Sequence, residues 1–119
     1  MEIKEHQINS IKIAEVISNE IIIKNAEDGL DLLGNLYYQG FDSIIIHEQN
    51  ITPIFFDLKN GLAGEILQKF SNYRIRLVIV GEFEACTGKS IGDFIYESNN
   101  GKLVNFLPST TIAWEKLKI

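Results

Sequence analysis

Cysteine is nearly absent: Cys86 is the one thiol in 119 residues. An internal disulfide is therefore impossible, and the composition suits a reducing cytosol. Proline is scarce too, with Pro53 and Pro108 alone, and no low-complexity run or internal repeat breaks the chain. No linker is expected, and residues 1–119 read as a single domain. Apolar runs stop at three or four residues, as in Ile44-Ile45-Ile46 and Leu77-Val78-Ile79-Val80, far too short to span a bilayer. The opening MEIKEHQINS lacks the basic start and apolar run of a secretory signal, so a cytoplasmic location is expected. Positive charge is in deficit: eleven basic against sixteen acidic residues leave a net charge of −5. Such a field repels phosphate backbones and anionic lipid, so neither nucleic acid nor membrane is an expected partner.

What is present is a globular balance of 45% hydrophobic and 23% charged residues. Residues 8–17 (INSIKIAEVI) have much of the alternation of a half-buried strand, with Ile11, Ile13 and either Ala14 or Val16 facing inward. Ser18-Asn19 reads as a tight turn and residues 20–24 (EIIIK) as a second strand, which together make a hairpin. Asn25 is an expected helix cap, with Glu27 and Asp28 in the first turn, and Gly40 ends that helix. Residues 43–47 (SIIIH) and 74–80 (RIRLVIV) are apolar runs of the kind buried on both faces of a parallel sheet. Thr52-Pro53 is an expected helix start, and Leu62, Ala63, Ile66, Leu67 and Phe70 make an apolar helical face. Ser90 is expected to cap a further helix, residues 102–107 to form the last strand, and Ser109 to cap a terminal helix. The order is β-β-α-β-α-β-α-β-α. Alternation from the second strand onward imposes parallel pairing and right-handed crossovers. The expected fold class is α/β, a single mixed, mostly parallel sheet with helices packed on it.

Few motifs carry chemistry. Thr87-Gly88-Lys89-Ser90 follows a strand and precedes a helix, as a P-loop does. The motif requires glycine where Phe83 stands, and Glu82 and Glu84 would repel phosphate, so no nucleotide is expected. Gly61 and Gly64 sit near a helix start, flanked by Asp57 and Glu65, and Gly64 is expected to pack against the sheet. Cys86 has no obvious base beside it and is read as incidental. His47-Glu48 closes the third strand, and Gly81-Glu82 closes the next. Ligands gather beyond the carboxyl ends of parallel strands, which makes this the expected pocket. No His-Glu-x-x-His is present, and His6 is expected in a disordered end, so no metal site is expected. The tyrosines Tyr37, Tyr38 and Tyr73, with Phe55-Phe56, are read as core or as an aromatic contact surface.

The run HEQNITPIFFDLKNGLAGEILQKFSNYRIRLVIVGEF, with GDFIYESNNGKLVNF after it, resembles a bacterial family known as domain-of-unknown-function family 4180. That resemblance covers nearly the whole chain and implies no activity. The element order and the segment from Ile44 to Gly81 are also similar to STAS domains, the fold of anti-sigma factor antagonists. That likeness implies a STAS-like module that binds a partner protein. Some STAS domains are switched by phosphorylation of a serine or threonine just before a Gly-Leu pair. The matching position here is Asn60, before Gly61-Leu62, and asparagine has no hydroxyl to modify.

The function expected is thus partner binding or self-association, with no phosphorylation switch, cofactor or catalytic residue assigned. Its candidate residues are His47, Glu48, Asp57, Asn60, Gly61 and Glu82. The alternative is a small ligand sensor or enzyme using a polar pocket at the strand ends.

Overall fold

The expected alternation of strands and helices is what forms. In the computed structural model, which describes residues 1–83 and 88–118, five strands make one sheet in the order β1-β2-β3-β4-β5. They are β1 (Glu2–Ile8), β2 (Ile11–Ile17), β3 (Ser43–His47), β4 (Arg76–Val80) and β5 (Val104–Leu107). β1 runs antiparallel to β2, and all later neighbours are parallel. The helices are α1 (Ala26–Tyr38), α2 (Leu62–Tyr73), α3 (Lys89–Asn100) and α4 (Thr110–Leu117).

Strand alternation divides the core in two. Ala14, Val16, Ile44, Ile46, Leu77, Ile79, Val104 and Phe106 face one way and meet the apolar faces of α1, α2 and α3. Ile13, Ile45, Val78 and Val80 face the other way and meet Ala113 and Leu117 of α4. α4 lies over β3, β4 and β5 on that face, and its Trp114 ring reaches across to His6 of β1. Caps at Asn25 and Ser109 are made as expected, each side chain accepting a backbone N–H of its helix. The far edge is closed by Asn99, whose amide donates to the Phe106 carbonyl at 3.1 Å and accepts its N–H at 2.7 Å. That side chain stands where another strand would pair and blunts the edge.

Five expectations are corrected. The hairpin lies earlier in the chain: β1 and β2 turn at Asn9-Ser10, where Asn9 adopts φ 57°, a left-handed turn that asparagine tolerates well. His6 is therefore in a strand, not a disordered end. Residues 20–24 form no strand; Ile23 makes one isolated parallel bridge to Ile51. The apolar run is there because Ile23 is buried, and its backbone is held by Asn50. The Asn50 carbonyl accepts from Ile22 and Ile23, and its side-chain amide donates to the carbonyls of Ser18 at 2.9 Å and Glu20 at 2.8 Å. Thr52-Pro53 opens a short 3₁₀ turn, Pro53–Phe56, while α2 itself starts at Leu62. Ser90 lies inside α3, whose cap position is Gly88.

The glycines also part from expectation. A Cβ on Gly64 would meet nothing within 4 Å, because Ala63, Ile66, Leu67 and Phe70 take the inward side of α2. The close helix contact is made by Gly29 of α1, where a Cβ would come within 3.2 Å of the Ile66 side chain.

Candidate functional site

The carboxyl ends of β3 and β4 lie side by side because the register pairs His47 with Val80. Each chain then leaves the sheet through a polar pair, His47-Glu48 and Gly81-Glu82. Glu48 begins a 3₁₀ turn, Glu48–Asn50, that folds its side chain back over Gly81. Its carboxylate accepts the Glu82 N–H at 3.3 Å. Only glycine fits beneath it: a Cβ on residue 81 would sit 2.6 Å from the Glu48 Cβ. The result is an open groove of about 310 Å³ lined by His47, Glu48, Gln49, Val80, Gly81 and Glu82.

A second groove of about 330 Å³ shares the Glu48-Gln49 wall. Its remaining lining is apolar: Ile21, Ile51, Pro53 and Phe56. Phe56 is fixed by aromatic contacts to Phe55, Phe83 and Phe106, with ring centroids 5.1–6.3 Å apart. Ile21 is 41% exposed and Ile54, in the same turn as Pro53 and Phe56, is 54% exposed. The rim of the sheet thus presents an apolar trough beside an acidic one, divided by Glu48 and Gln49.

Behind His47 lies a buried carboxylate that sequence reading missed. Glu15 sits mid-strand in β2 and its residue is only 8% exposed. One oxygen lies 3.0 Å from Nε2 of His6, and the other 3.4 Å from Nε2 of His47. Both imidazoles are thus within hydrogen-bond reach of the carboxylate, a ring N–H on Nε2 being the donor each would offer it. Such partners are what make burial of the charge tolerable. Three adjacent strands are thereby tied together, and His6 is held further by the Trp114 ring of α4, 4.9 Å away between centroids. The signal in the sequence was Glu15 falling on the inward phase of Ile11 and Ile13, where a charge needs a partner. His6 could not be matched to it without the register. The carboxylate stands between the imidazoles, and among the described residues no three His, Cys, Asp or Glu side chains are placed to hold a metal ion.

The other candidates are elsewhere and make the turn before α2. Asp57 accepts the Lys59 N–H at 3.3 Å. Asn60 donates to the Ile54 carbonyl at 2.7 Å and accepts the Leu62 N–H at 2.9 Å. Gly61 takes φ 78°, the left-handed conformation that glycine adopts without cost. The structure therefore splits the six residues: His47, Glu48 and Glu82 line the rim, while Asp57, Asn60 and Gly61 shape a loop. Asp57 borders a separate groove with Lys89 and Ser90. Lys89 itself is committed to Asp93 of α3, 3.1 Å away. Glu84, Cys86 and Thr87 lie outside the described residues.

Among the described residues no helix is long and apolar enough to cross a membrane. Against known proteins, residues 8–117 match the model of a family described as Domain of unknown function (DUF4180). No curated protein and no solved structure matches the chain. The comparisons add nothing to the likeness to STAS domains, which stays with the segment from Ile44 to Gly81.

Proposed function

The chain belongs to the DUF4180 family, and we propose that it is a cytoplasmic protein-binding module whose contact surface is the rim at the carboxyl ends of β3 and β4. The observation that carries this reading is the pair of open grooves meeting at Glu48, with Ile21 and Ile54 exposed beside them. Shallow troughs with an apolar centre and a polar border suit a side chain offered by another protein better than an enclosed small molecule. Asn60 already spends its amide on two backbone groups, which favours a surface that works without a modification at that turn.

A second reading, a ligand sensor or enzyme, has one observation in its favour. His47 is oriented by the Glu15 carboxylate and borders the acidic groove, the arrangement of a positioned general base. No nucleophile or oxyanion-binding pair faces it among the described lining residues, and the partner-binding reading is preferred.

Panning a random peptide display library on the immobilised protein tests the proposal. Peptides that are enriched should bind Tyr38→Asp as they bind the parent and should lose binding to Ile21→Asp. Both replaced side chains are exposed, so neither change threatens the fold. Equal binding to both variants, or no enrichment, would overturn the rim as the working surface.

A further inference from the structure

We infer that the rim recognises an extended segment carrying one apolar side chain and, next but one to it, a lysine or arginine. The inference rests on the partner-binding reading and adds the chemistry of the partner. The two grooves are contiguous, because Glu48 and Gln49 line both. One is walled by Ile21, Ile51, Pro53 and Phe56 and takes an apolar group. The other is bordered by the carboxylates of Glu48 and Glu82, and no lysine or arginine is among the described residues that line either groove.

Other charges in this part of the molecule point the same way. The Glu15 carboxylate lies behind His47, its two oxygens 3.0 Å and 3.4 Å from Nε2 of His6 and His47. Glu20 precedes the Ile21 wall in the chain. Among the described residues the Glu48 carboxylate accepts one hydrogen bond, a long one of 3.3 Å from the Glu82 amide, which leaves lone pairs for an incoming cation. An extended segment points successive side chains to opposite faces and sets next-but-one side chains about 6–7 Å apart on the same face, so one face of it offers a side chain to each of two troughs that share a wall. Charge complementarity thus selects a basic partner segment, and the net charge of −5 steers the encounter in the same sense.

The test is an amide chemical-shift titration with three blocked hexapeptides, Gly-Leu-Ser-Lys-Ser-Gly and its two forms with lysine replaced by glutamine or glutamate. The lysine peptide should move the amides of Ile21, Glu48, Gln49, Gly81 and Glu82 in a saturable way. The glutamine form should bind about two- to fivefold more weakly, the range of an exposed ion pair, and the glutamate form more weakly still. Added salt should close the gap between them. In Glu48→Gln the preference for lysine should shrink, while the apolar contact persists. If the glutamate or glutamine peptide binds the rim as tightly as the lysine peptide, this inference fails and the binding surface stands. If all three leave the rim amides unmoved, both fail.

Discussion

Replacing Gly81 by alanine probes how the rim is built. Gly81 does not occupy a left-handed conformation, so the added methyl meets no backbone penalty and only space decides the outcome. That methyl would lie 2.6 Å from both Cβ and Oε1 of Glu48 and 3.1 Å from its Cδ. The carboxylate can swing away and give up the Glu82 amide, but the Glu48 Cβ is fixed by its backbone. The ends of β3 and β4 must then part, a strain of the overpacking kind, about 1–3 kcal/mol. With a urea slope of about 1.5 kcal/mol/M, the unfolding midpoint falls by about 0.7–2 M. Glu48→Gly removes the obstructing atom at a cost of about 0.5–1 kcal/mol in backbone entropy. In the double variant the clash is gone, so the two changes should compensate: Gly81→Ala should cost little once Glu48 is glycine. Urea unfolding of the four proteins measures that coupling. Additivity within about 0.5 kcal/mol, or a Gly81→Ala midpoint equal to that of the parent, would refute the close approach.

Three further perturbations separate this account from a generic α/β domain. His6→Ala removes a charge-assisted hydrogen bond to buried Glu15 and the contact with Trp114, so urea unfolding should show a loss of about 1–3 kcal/mol with altered native tryptophan emission. A loss under about 0.5 kcal/mol would mean Glu15 does not need this partner. Asn50→Ala removes the buried amide that donates to the Ser18 and Glu20 carbonyls and should cost about 1–3 kcal/mol at about 0.5–1.5 per lost bond. Hydrogen exchange should quicken at Ile22 and Ile23, and unchanged protection there would contradict the anchoring role. Gly64→Ala should raise stability by about 0.5–1 kcal/mol, because the position is helical and open, and a lowered melting temperature would count against it.

Local signals in the sequence carried most of the architecture. Alternation and apolar runs placed β3, β4 and β5, and caps at Asn25 and Ser109 bounded α1 and α4, because these features depend on near neighbours. The register did not follow from such signals. Residues 20–24 have the composition of a strand, yet a single asparagine thirty residues away in the chain binds their flanks and replaces a ladder. Gly64 looked like a packing glycine, but one position of helical phase separates the face of Ala63 from solvent. At the site, the topological rule for parallel strands located His47, Glu48 and Glu82 together. Asp57, Asn60 and Gly61 came from family likeness and prove to be turn-formers. The Glu15 cluster needed three strands in register before its members could be paired, which no local pattern reveals.

The central claim is that this rim, and not another exposed surface, meets the partner. The strongest rival is the tyrosine cluster, where Tyr37 lies 5.0 Å from Tyr73 and 6.0 Å from Tyr38 between ring centroids. A photo-crosslinking amino acid placed at position 21 in one copy of the gene and at position 38 in another compares the two in the native cell. The account predicts a discrete adduct from position 21 that disappears when Glu48→Lys is added, and none from position 38. A discrete adduct from position 38 with none from position 21 would contradict it.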